Sequence, residues 1–289
     1  MSRMPAKVSV LMTTYNQDQY IRQGIESVLA QQASFAYELV IGEDCSTDGT
    51  RAICRAYQQQ HPETIRLLAR EKNLGAAENF LSALAECSGE YLAILDGDDF
   101  WPNPLKLQEQ ADCLDANPGH ALVFARTEAF FQDGDRPSYE IPSPNQERYT
   151  LETLLRSNYI ATCSVMYRKG VVKEYPSWLS QLDMGDWPLH VLYEQHGSIG
   201  YIDETMAAYR IHSSSTFSSR SVADNYKSIL TFYRCIGPHL GPQHEKAISL
   251  HEARICKAVV RPTLVDRHWL EAVRYAWLAL LYYIRFKLK

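Results

Sequence analysis

The stretch YLAILDGDDFWPNP, residues 91–104, joins an apolar strand to a cluster of three carboxylates. Its first five residues are typical of a strand buried on both faces. Asp96, Asp98 and Asp99 follow at once, and like charges this close repel one another unless solvent, protons or a cation relieves them. Asp-Gly is also a common hairpin dipeptide, and Asp99 is placed to cap the helix that Pro104 begins. The stretch alone leaves a turn, a cap and a cation site open.

Strands and helices alternate along the first half of the chain. Strands are predicted at 7–13, 37–43, 65–69 and 91–95, and helices at 18–33, 50–61, 76–87 and 104–117. This alternation favours an α/β fold with a parallel sheet and right-handed crossovers. Because a parallel strand does not return through a tight turn, the hairpin alternative for the Asp-Gly dipeptide weakens.

The second half is expected to add short strands and then helices. Further strands are predicted at 121–125, 160–167 and 199–210, a surface loop at 132–148, and helices over 222–286. The Gly-Pro dipeptides at 237 and 241 are expected to interrupt the helical region.

Polar side chains follow each of the first four predicted strands. Thr13 to Asn16 follow the first strand, Glu43 and Asp44 the second, and the segment 70–75 the third. Ligands of parallel sheets bind beyond the carboxyl ends of the strands, so we expect these groups to meet the three carboxylates at one edge.

Composition limits the classes of function. The 289 residues have a formal charge of −5, which gives no basic footprint and predicts no nucleic-acid partner. Seven cysteines are scattered without a Cys-x-x-Cys pair, as expected of reduced thiols in a cytoplasmic protein. Neither a signal peptide nor a membrane-spanning segment is evident.

Four motifs in order, VSVLMTTYNQ, ELVIGEDCSTDGT, KNLG and ILDGDDFW, resemble those of family 2 glycosyltransferases of the GT-A fold. The resemblance covers about residues 7–215 and is strongest to bacterial enzymes that build capsule, O-antigen or related surface glycans. It implies a Rossmann-like, mostly parallel sheet flanked by helices. The implied organisation is a GT-A domain at 1–215, with a nucleotide-binding half at 1–120 and an acceptor half at 121–215, and a helical C-terminal extension at 216–289.

The resemblance implies a site for a nucleoside diphosphate sugar, with a UDP-sugar favoured. Tyr15 would stack on the base and Asp44 would accept a hydrogen bond from a base N–H. The implied donor contacts are Thr13, Thr14, Tyr15, Asp44, Lys72, Asn73, Asp96 and Gly97. Structural alternatives are a packed aromatic for Tyr15, an Asx-turn for Asp44 and an ordinary loop for Asn73. Many family members carry an arginine where Glu78 stands here. In this chain the negative charge of the phosphates would therefore be neutralised by Arg70, Lys72 or the metal.

The same resemblance implies a divalent cation, Mn²⁺ or Mg²⁺. Asp98 would ligate it, with Asp96 on the ribose or the metal side, and His212 of the YRIH segment would ligate the metal or touch the diphosphate. For His212 the alternative is an ordinary surface or core histidine. Asp99 is expected to cap the following helix.

The segment LDMGDWPLH, residues 182–190, resembles the place of the family's catalytic carboxylate. Asp186 would take the proton of the acceptor hydroxyl, with Asp183 as the second candidate. The alternative for Asp186 is an N-cap of a helix that opens at Pro188. Trp187 would form a wall for the acceptor sugar or pack in the core.

These features predict an inverting, metal-dependent glycosyltransferase acting on a hydroxyl of a glycan or a lipid-linked acceptor. A catalytically silent nucleotide-sugar-binding scaffold is the rival from another class. A sugar nucleotidyltransferase ranks lower, because MTTYNQ lacks the Gly-rich loop expected after its first strand.

The tail 267–289 is predicted to be an amphipathic helix. Trp269, Val273, Trp277, Leu280 and Ile284 recur at helical spacing. Several Arg and Lys residues and only one acid, Glu271, flank this stripe. An apolar stripe with flanking cations is typical of a helix that lies in a membrane interface. The alternative is packing on the catalytic domain or on a second copy. The expected location is therefore cytoplasmic, with peripheral contact at the inner face of the membrane as a hypothesis.

Overall fold

The computed structural model describes residues 6–134, 136–144, 149–182, 184–215, 220–265 and 268–288. Over these ranges the chain forms eight strands and nine α-helices. The strands are β1 (Val8–Thr14), β2 (Tyr37–Glu43), β3 (Ile65–Ala69), β4 (Tyr91–Asp96), β5 (His120–Phe131), β6 (Tyr139–Ile141), β7 (Met166–Arg168) and β8 (Ser198–Ile211). The helices are α1 (Ile21–Leu29), α2 (Thr50–Gln60), α3 (Ala76–Leu84), α4 (Lys106–Ala116), α5 (Leu151–Arg156), α6 (Asp186–Glu194), α7 (Val222–Ile236), α8 (Glu245–Val265) and α9 (Trp269–Leu288).

All eight strands belong to one sheet, in the order β3-β2-β1-β4-β7-β5-β6, with β8 paired to β5. The pairs among β1, β2, β3 and β4 are parallel, as is the pair of β5 and β8. Strand β7 is antiparallel to both β4 and β5, so these two strands run in the same direction. The carboxyl ends of six strands therefore meet at one edge, and the prediction of a mostly parallel α/β sheet is confirmed.

The sheet is covered by helices on both faces, and the first strand shows why. Val8, Val10 and Met12 belong to one apolar cluster with α1, α2 and α4. Leu11, which points to the other face, belongs to a second cluster with α3, α5, α6 and α7. Because both faces are buried, the strand reads as a continuous apolar run rather than an alternating one.

Two predictions in the middle of the chain are wrong in detail. The predicted loop at 132–148 contains β6, which pairs with the end of a β5 that is longer than predicted. The predicted strand at 160–167 is a 3₁₀ turn at Thr162–Ser164 followed by the short β7. The Ser164 hydroxyl donates to the Ala161 carbonyl over 2.8 Å, and such local bonds compete with strand pairing.

The first of the C-terminal helices, α7, is part of the hydrophobic core. Phe232 and Tyr233 of α7 lie in the same apolar cluster as Leu11 of β1, and the ring centroid of Phe232 lies 4.9 Å from that of Trp187. The division of the chain at residue 215 remains a prediction. Among the helices of the described residues, none combines the length and the apolar content that a membrane-spanning segment needs.

Helix α9 packs on α8, but not through the predicted stripe. Trp269, Val273 and Trp277 are 65%, 68% and 61% exposed. The residues turned toward the rest of the chain lie on the opposite side, where Ala272 is buried and Tyr282 is half-buried. One side of the helix therefore packs on the chain, as the packing alternative expects, and contact of the uncovered side with a membrane remains a prediction.

Candidate active site

The ends of β1 and β4 lie side by side. Thr13 and Asp96 are partners in the register of this pair, and the Thr13 hydroxyl donates to Oδ1 of Asp96 over 2.9 Å. The next residue, Gly97, lies so close to β1 that a Cβ there would be 2.8 Å from Oγ1 of Thr14 and 2.6 Å from Oε1 of Gln17. A larger residue at this position would therefore force neighbouring side chains to move, so the position favours glycine.

Asp98 and His212 meet at this edge. Nε2 of His212 lies 3.0 Å from Oδ2 of Asp98, and its Nδ1 lies 2.8 Å from Oγ of Ser214. The imidazole ring also packs against Tyr20, with 4.6 Å between ring centroids. A carboxylate only accepts, so Nε2–H of His212 donates to Asp98, and in the neutral ring Nδ1 accepts from the Ser214 hydroxyl.

Asp99 does not cap the helix that follows, so this prediction is wrong. Its carboxylate is buried and accepts a hydrogen bond from the backbone N–H of Arg210 over 2.8 Å. At the start of α4, the backbone N–H of Leu105 donates instead to the side-chain oxygen of Asn103. Asp99 thus joins the end of β8 to the loop after β4.

Arg210 is a site residue that sequence reasoning missed. Its Nε donates to the backbone carbonyl of Asp98 over 2.7 Å, and the guanidinium also binds the side-chain oxygens of Gln23 and Gln132. Three aromatic rings surround the guanidinium group. Their centroids lie 4.8 Å (Tyr20), 5.6 Å (Phe100) and 4.9 Å (Phe130) from its central carbon. The only signal was its place beside His212 in the YRIH segment.

Burial and neighbouring charge raise the pKa values of two carboxylates at this edge, Asp96 and Asp99. Desolvation, followed by the charge of Asp98, raises the pKa of Asp96 to about 7, and the charge of Asp186 adds to this shift. Desolvation and the charges of Asp98 and Asp96 raise the pKa of Asp99 well above its usual value. The charged forms of Asp96 and Asp99 are therefore disfavoured, first by burial and then by the neighbouring carboxylates.

The predicted three-ligand metal set is only partly assembled. Asp98 and His212 are in contact, whereas Asp96 is bound to Thr13. Within the residues that the structure describes, no group of three or more His, Cys, Asp or Glu side chains is close enough to hold a metal ion. The structure thus brings together two of the three predicted ligands.

Asp186 is the first residue of α6, and its side chain does not cap the helix. Its Oδ2 accepts two hydrogen bonds, from Nδ2 of Asn158 over 3.0 Å and from Oγ1 of Thr162 over 3.1 Å. Its charge affects the pKa of Asp96, so the two carboxylates belong to one electrostatic site. Asp183, the second candidate, lies outside the described residues.

Trp187 lies in the core, and the structure gives it no face toward an acceptor. It is 7% exposed, its Nε1 donates to the Leu154 carbonyl over 2.8 Å, and its ring packs on Phe232. Helix α6 turns this side inward, so Trp187 packs in the core. The prediction that Trp187 forms a wall for the acceptor sugar is therefore wrong.

Asp44 organises the loop after β3. Its Oδ1 accepts from the N–H of Leu74 over 2.7 Å and its Oδ2 from the N–H of Gly75 over 2.9 Å. The Asn73 side chain donates to the Asp44 carbonyl over 3.0 Å, and Gly75 takes a φ of +85°, which favours glycine. The carboxylate therefore binds a distant loop rather than the Asx-turn considered from sequence.

The other predicted donor contacts lie on the outside of this loop cluster. Tyr15 is 46% exposed, and it precedes Asn16, one of two non-glycine residues with left-handed backbone in the described chain. Lys72 is exposed. Arg70 is held by Asn79 and Ser82 of α3. Lys72 is thus the cation of this segment that faces solvent.

Comparison with known proteins identifies related families and folds. The model of the family described as Glycosyl transferase family 2 matches residues 9–175. A putative teichuronic acid biosynthesis glycosyltransferase, TuaG of Bacillus subtilis (strain 168), is 32% identical over 215 residues, which are 74% of this chain and 82% of the relative. An uncharacterized protein of Mycobacterium tuberculosis (strain ATCC 25618 / H37Rv) is 36% identical over 205 residues, which are 71% of this chain and 59% of the relative. The chain therefore spans about three fifths of that relative's length.

Two solved structures share the fold. TarS of S. aureus, residues 1–349 in complex with UDP-GlcNAc, superposes with a TM-score of 0.64 at 18% identity, covering 96% of this chain and 89% of that one. The mannosyltransferase PcManGT from Pyrobaculum calidifontis, in complex with GDP-Man and Mn²⁺, also gives a TM-score of 0.64, at 16% identity, covering 96% of this chain and 76% of that one.

Proposed function

Because the chain belongs to glycosyl transferase family 2, we propose that it transfers a sugar from a nucleoside diphosphate donor to a hydroxyl acceptor. Its fold is the GT-A fold that the sequence predicted. The observation that carries the proposal is the meeting of Asp98 with His212 at the sheet edge where Asp96 and Asp186 share an electrostatic site.

The donor nucleotide is proposed to lie over the ends of β1 and β2. Tyr15 offers an exposed ring to a base. Both oxygens of Asp44 already accept backbone N–H groups, but each carboxylate oxygen has a second lone pair for a base N–H. We favour a UDP-sugar, as the family resemblance implies. The structural relatives were solved with UDP-GlcNAc and with GDP-Man, so both nucleotides belong in the test.

The donor set at Asp98 and His212 fits a divalent cation. Oδ2 of Asp98 and Nε2 of His212 lie 3.0 Å apart, so these two side chains would hold the cation between them. Such a cation commonly takes one or two protein groups and completes its shell with phosphates and water. Bound there, Mn²⁺ or Mg²⁺ would neutralise the departing diphosphate. Asp96, held by Thr13, is proposed to contact the ribose.

Asp186 is proposed to be the general base. Both of its recorded hydrogen bonds use Oδ2, which leaves Oδ1 to take the proton of the acceptor hydroxyl. The acceptor oxygen then forms its bond to the anomeric carbon while the bond to the diphosphate breaks on the opposite face. Such a single displacement inverts the anomeric configuration. Asn158 and Thr162 hold the carboxylate in place.

The acceptor is proposed to be a glycan or a lipid-linked sugar, bound on the side of residues 121–215, with the donor on the side of residues 1–120. Residues 216–289 are proposed to form an extension that supports the acceptor side. All seven cysteines are free thiols, which supports a reducing, cytoplasmic location.

A donor panel tests the proposal. The protein is incubated with UDP-, GDP- and dTDP-sugars, with and without Mn²⁺, and released nucleoside diphosphate is measured. The proposal expects metal-dependent release from one class of donor, and inversion at the anomeric carbon of the first product by NMR. Tight donor binding without any release in the presence of metal and acceptor extracts favours the silent scaffold instead.

A further inference from the structure

Helix α9 presents an uncovered apolar surface. Fourteen large hydrophobic residues are exposed in the described part of the chain, and nine of them lie on this one helix. These nine are Trp269, Leu270, Val273, Trp277, Leu280, Leu281, Tyr283, Ile284 and Leu288. A concentration of this kind marks an interaction surface, whereas single exposed apolar residues need no explanation.

The surface is held in a fixed orientation by the opposite side of the helix. Glu271 forms an ion pair with Lys227 of α7 at 3.0 Å. The Tyr282 hydroxyl accepts from Nε of Arg234 over 3.3 Å, and Lys246 lies over the ring of Phe286. Helix α9 is therefore docked on α7 and α8, and its outer face is a preformed feature of the fold.

Charge distinguishes the possible partners of this face. Helix α9 carries three cationic residues, Arg274, Arg285 and Lys287. Its one acidic residue, Glu271, is paired with Lys227. The whole chain carries −5, so this helix is a cationic region of an acidic protein. A second copy packed on the same face by two-fold symmetry would bring like charges together, because an isologous contact pairs a patch with itself. An anionic surface complements it.

We propose that the outer face of α9 binds the surface of an anionic lipid bilayer, with the helix lying in the plane of the interface. Tryptophan and tyrosine side chains favour the headgroup region, and flanking Lys and Arg are attracted to acidic headgroups. The helix lies flat rather than crossing, since it is not apolar enough to span. The proposal concerns binding alone and does not depend on the proposed transferase activity.

Such binding would hold the part of the chain that carries Asp186 near the membrane. Helix α9 contacts α7, and Phe232 of α7 packs on Trp187, the neighbour of Asp186. A lipid-linked acceptor, which is anchored in the same bilayer, would then lie close to Asp186.

Co-sedimentation with vesicles tests the proposal on the full chain. One set of vesicles is pure phosphatidylcholine and the other contains about one third phosphatidylglycerol, at low salt and at ~0.5 M salt, where screening is strong. The wild type is expected to pellet with the anionic vesicles at low salt, less at high salt and little with the neutral ones.

Two double variants of α9, each with a single-substitution control of the same kind, identify the surface. Trp269→Ser with Trp277→Ser removes two exposed rings, and Val222→Ser is the control, because Val222 is an exposed apolar residue of α7. Arg274→Glu with Lys287→Glu reverses two charges, and Arg55→Glu on exposed α2 surface is the control. Each α9 variant is expected to lower the vesicle partition coefficient at least about tenfold, with both controls near wild type.

The alternative occupants give different results. A wild type that fails to pellet with anionic vesicles at low salt overturns the proposal. So does a concentration-dependent dimer, measured by sedimentation velocity without lipid, that the paired Trp→Ser change dissociates. Pelleting that the α9 variants and their controls share equally also overturns it, because binding would then lie elsewhere on the chain.

Discussion

Nε2 of His212 lies 3.0 Å from Oδ2 of Asp98, although the two residues are 114 positions apart in the chain. The contact exists because the end of β8 folds over the loop after β4, where Phe100 and Ala208 form an isolated bridge. The two residues proposed to hold the cation thus come from two strand ends that only the tertiary fold brings together.

Asp98→Asn is expected to remove the metal dependence of donor binding, because an amide lacks the charge that holds a divalent cation. Thermal unfolding with UDP, with and without Mn²⁺, measures this. A site with a ligand at 100 times its Kd stabilises the folded state by about 2.7 kcal/mol, and the metal-dependent part of that gain should be lost. Asp112→Asn, on the exposed side of α4, should keep it. Equal Mn²⁺ responses in all three proteins would remove Asp98 from the site.

Arg210→Met is expected to weaken donor binding and turnover by about 10- to 100-fold, since it unties the Asp98 carbonyl from β8. Arg210→Lys should recover part of the loss, because a charge remains among the three rings. Arg126→Met is the matched control, as Arg126 of β5 pairs with surface acids. Steady-state kinetics with the identified donor measures all three, and a harmless Arg210→Met contradicts the positioning role.

Gly97→Ala is expected to destabilise the protein by about 1–3 kcal/mol, because the added Cβ would meet Thr14, Gln17 and Ile21 at 2.6–2.9 Å. Gly119→Ala is the control, since a Cβ there meets no atom of the described chain within 4 Å. Chemical denaturation compares the two. A Gly97→Ala protein as stable as Gly119→Ala would show that the loop after β4 relaxes freely.

Much of the fold was predictable because its signals are local. Ile21, Ile25 and Val28 are buried at the helical spacing read from the sequence. The apolar runs of β1 and β2 are continuous because both faces of the sheet are covered. Periodicity and apolar content depend only on neighbouring residues, so these elements can be identified without knowing the fold.

The side-chain roles at the site were less predictable because their partners are distant in sequence. Asp99 looks like a helix cap from its local position, yet its partner is the backbone of Arg210, 111 residues away. Asp44 looks like the start of a turn, yet it binds the loop at Leu74 and Gly75. Local patterns suggest the commonest use of a residue, and long-range packing decides the actual one.

Acid is expected to destabilise the protein through His251. Desolvation first, then the charges of Arg254 and Arg156, lower the pKa of His251 to about 4. The unfolded chain therefore binds more protons between pH 6.5 and 4, and stability is lost as the pH falls through that window. Glu252, whose pKa is raised, acts in the opposite direction in every variant.

The comparison that isolates His251 is His251→Gln against His61→Gln, a histidine on exposed surface. The wild type and His61→Gln should lose up to about 3 kcal/mol more between pH 7 and 4 than His251→Gln does. Urea denaturation across that range measures the difference. Parallel stability curves for all three proteins would rule out a depressed His251 pKa as a source of acid sensitivity.

The most direct test of the account is the turnover of Asp186→Asn with the identified donor and metal. The amide keeps the shape of the carboxylate but cannot take the acceptor's proton, so kcat should fall by about 10²–10⁴ while the donor Kd changes little. Asp183→Asn, measured beside it, should remain near wild type. A fully active Asp186→Asn together with an inactive Asp183→Asn would contradict the assignment of the base at the start of α6.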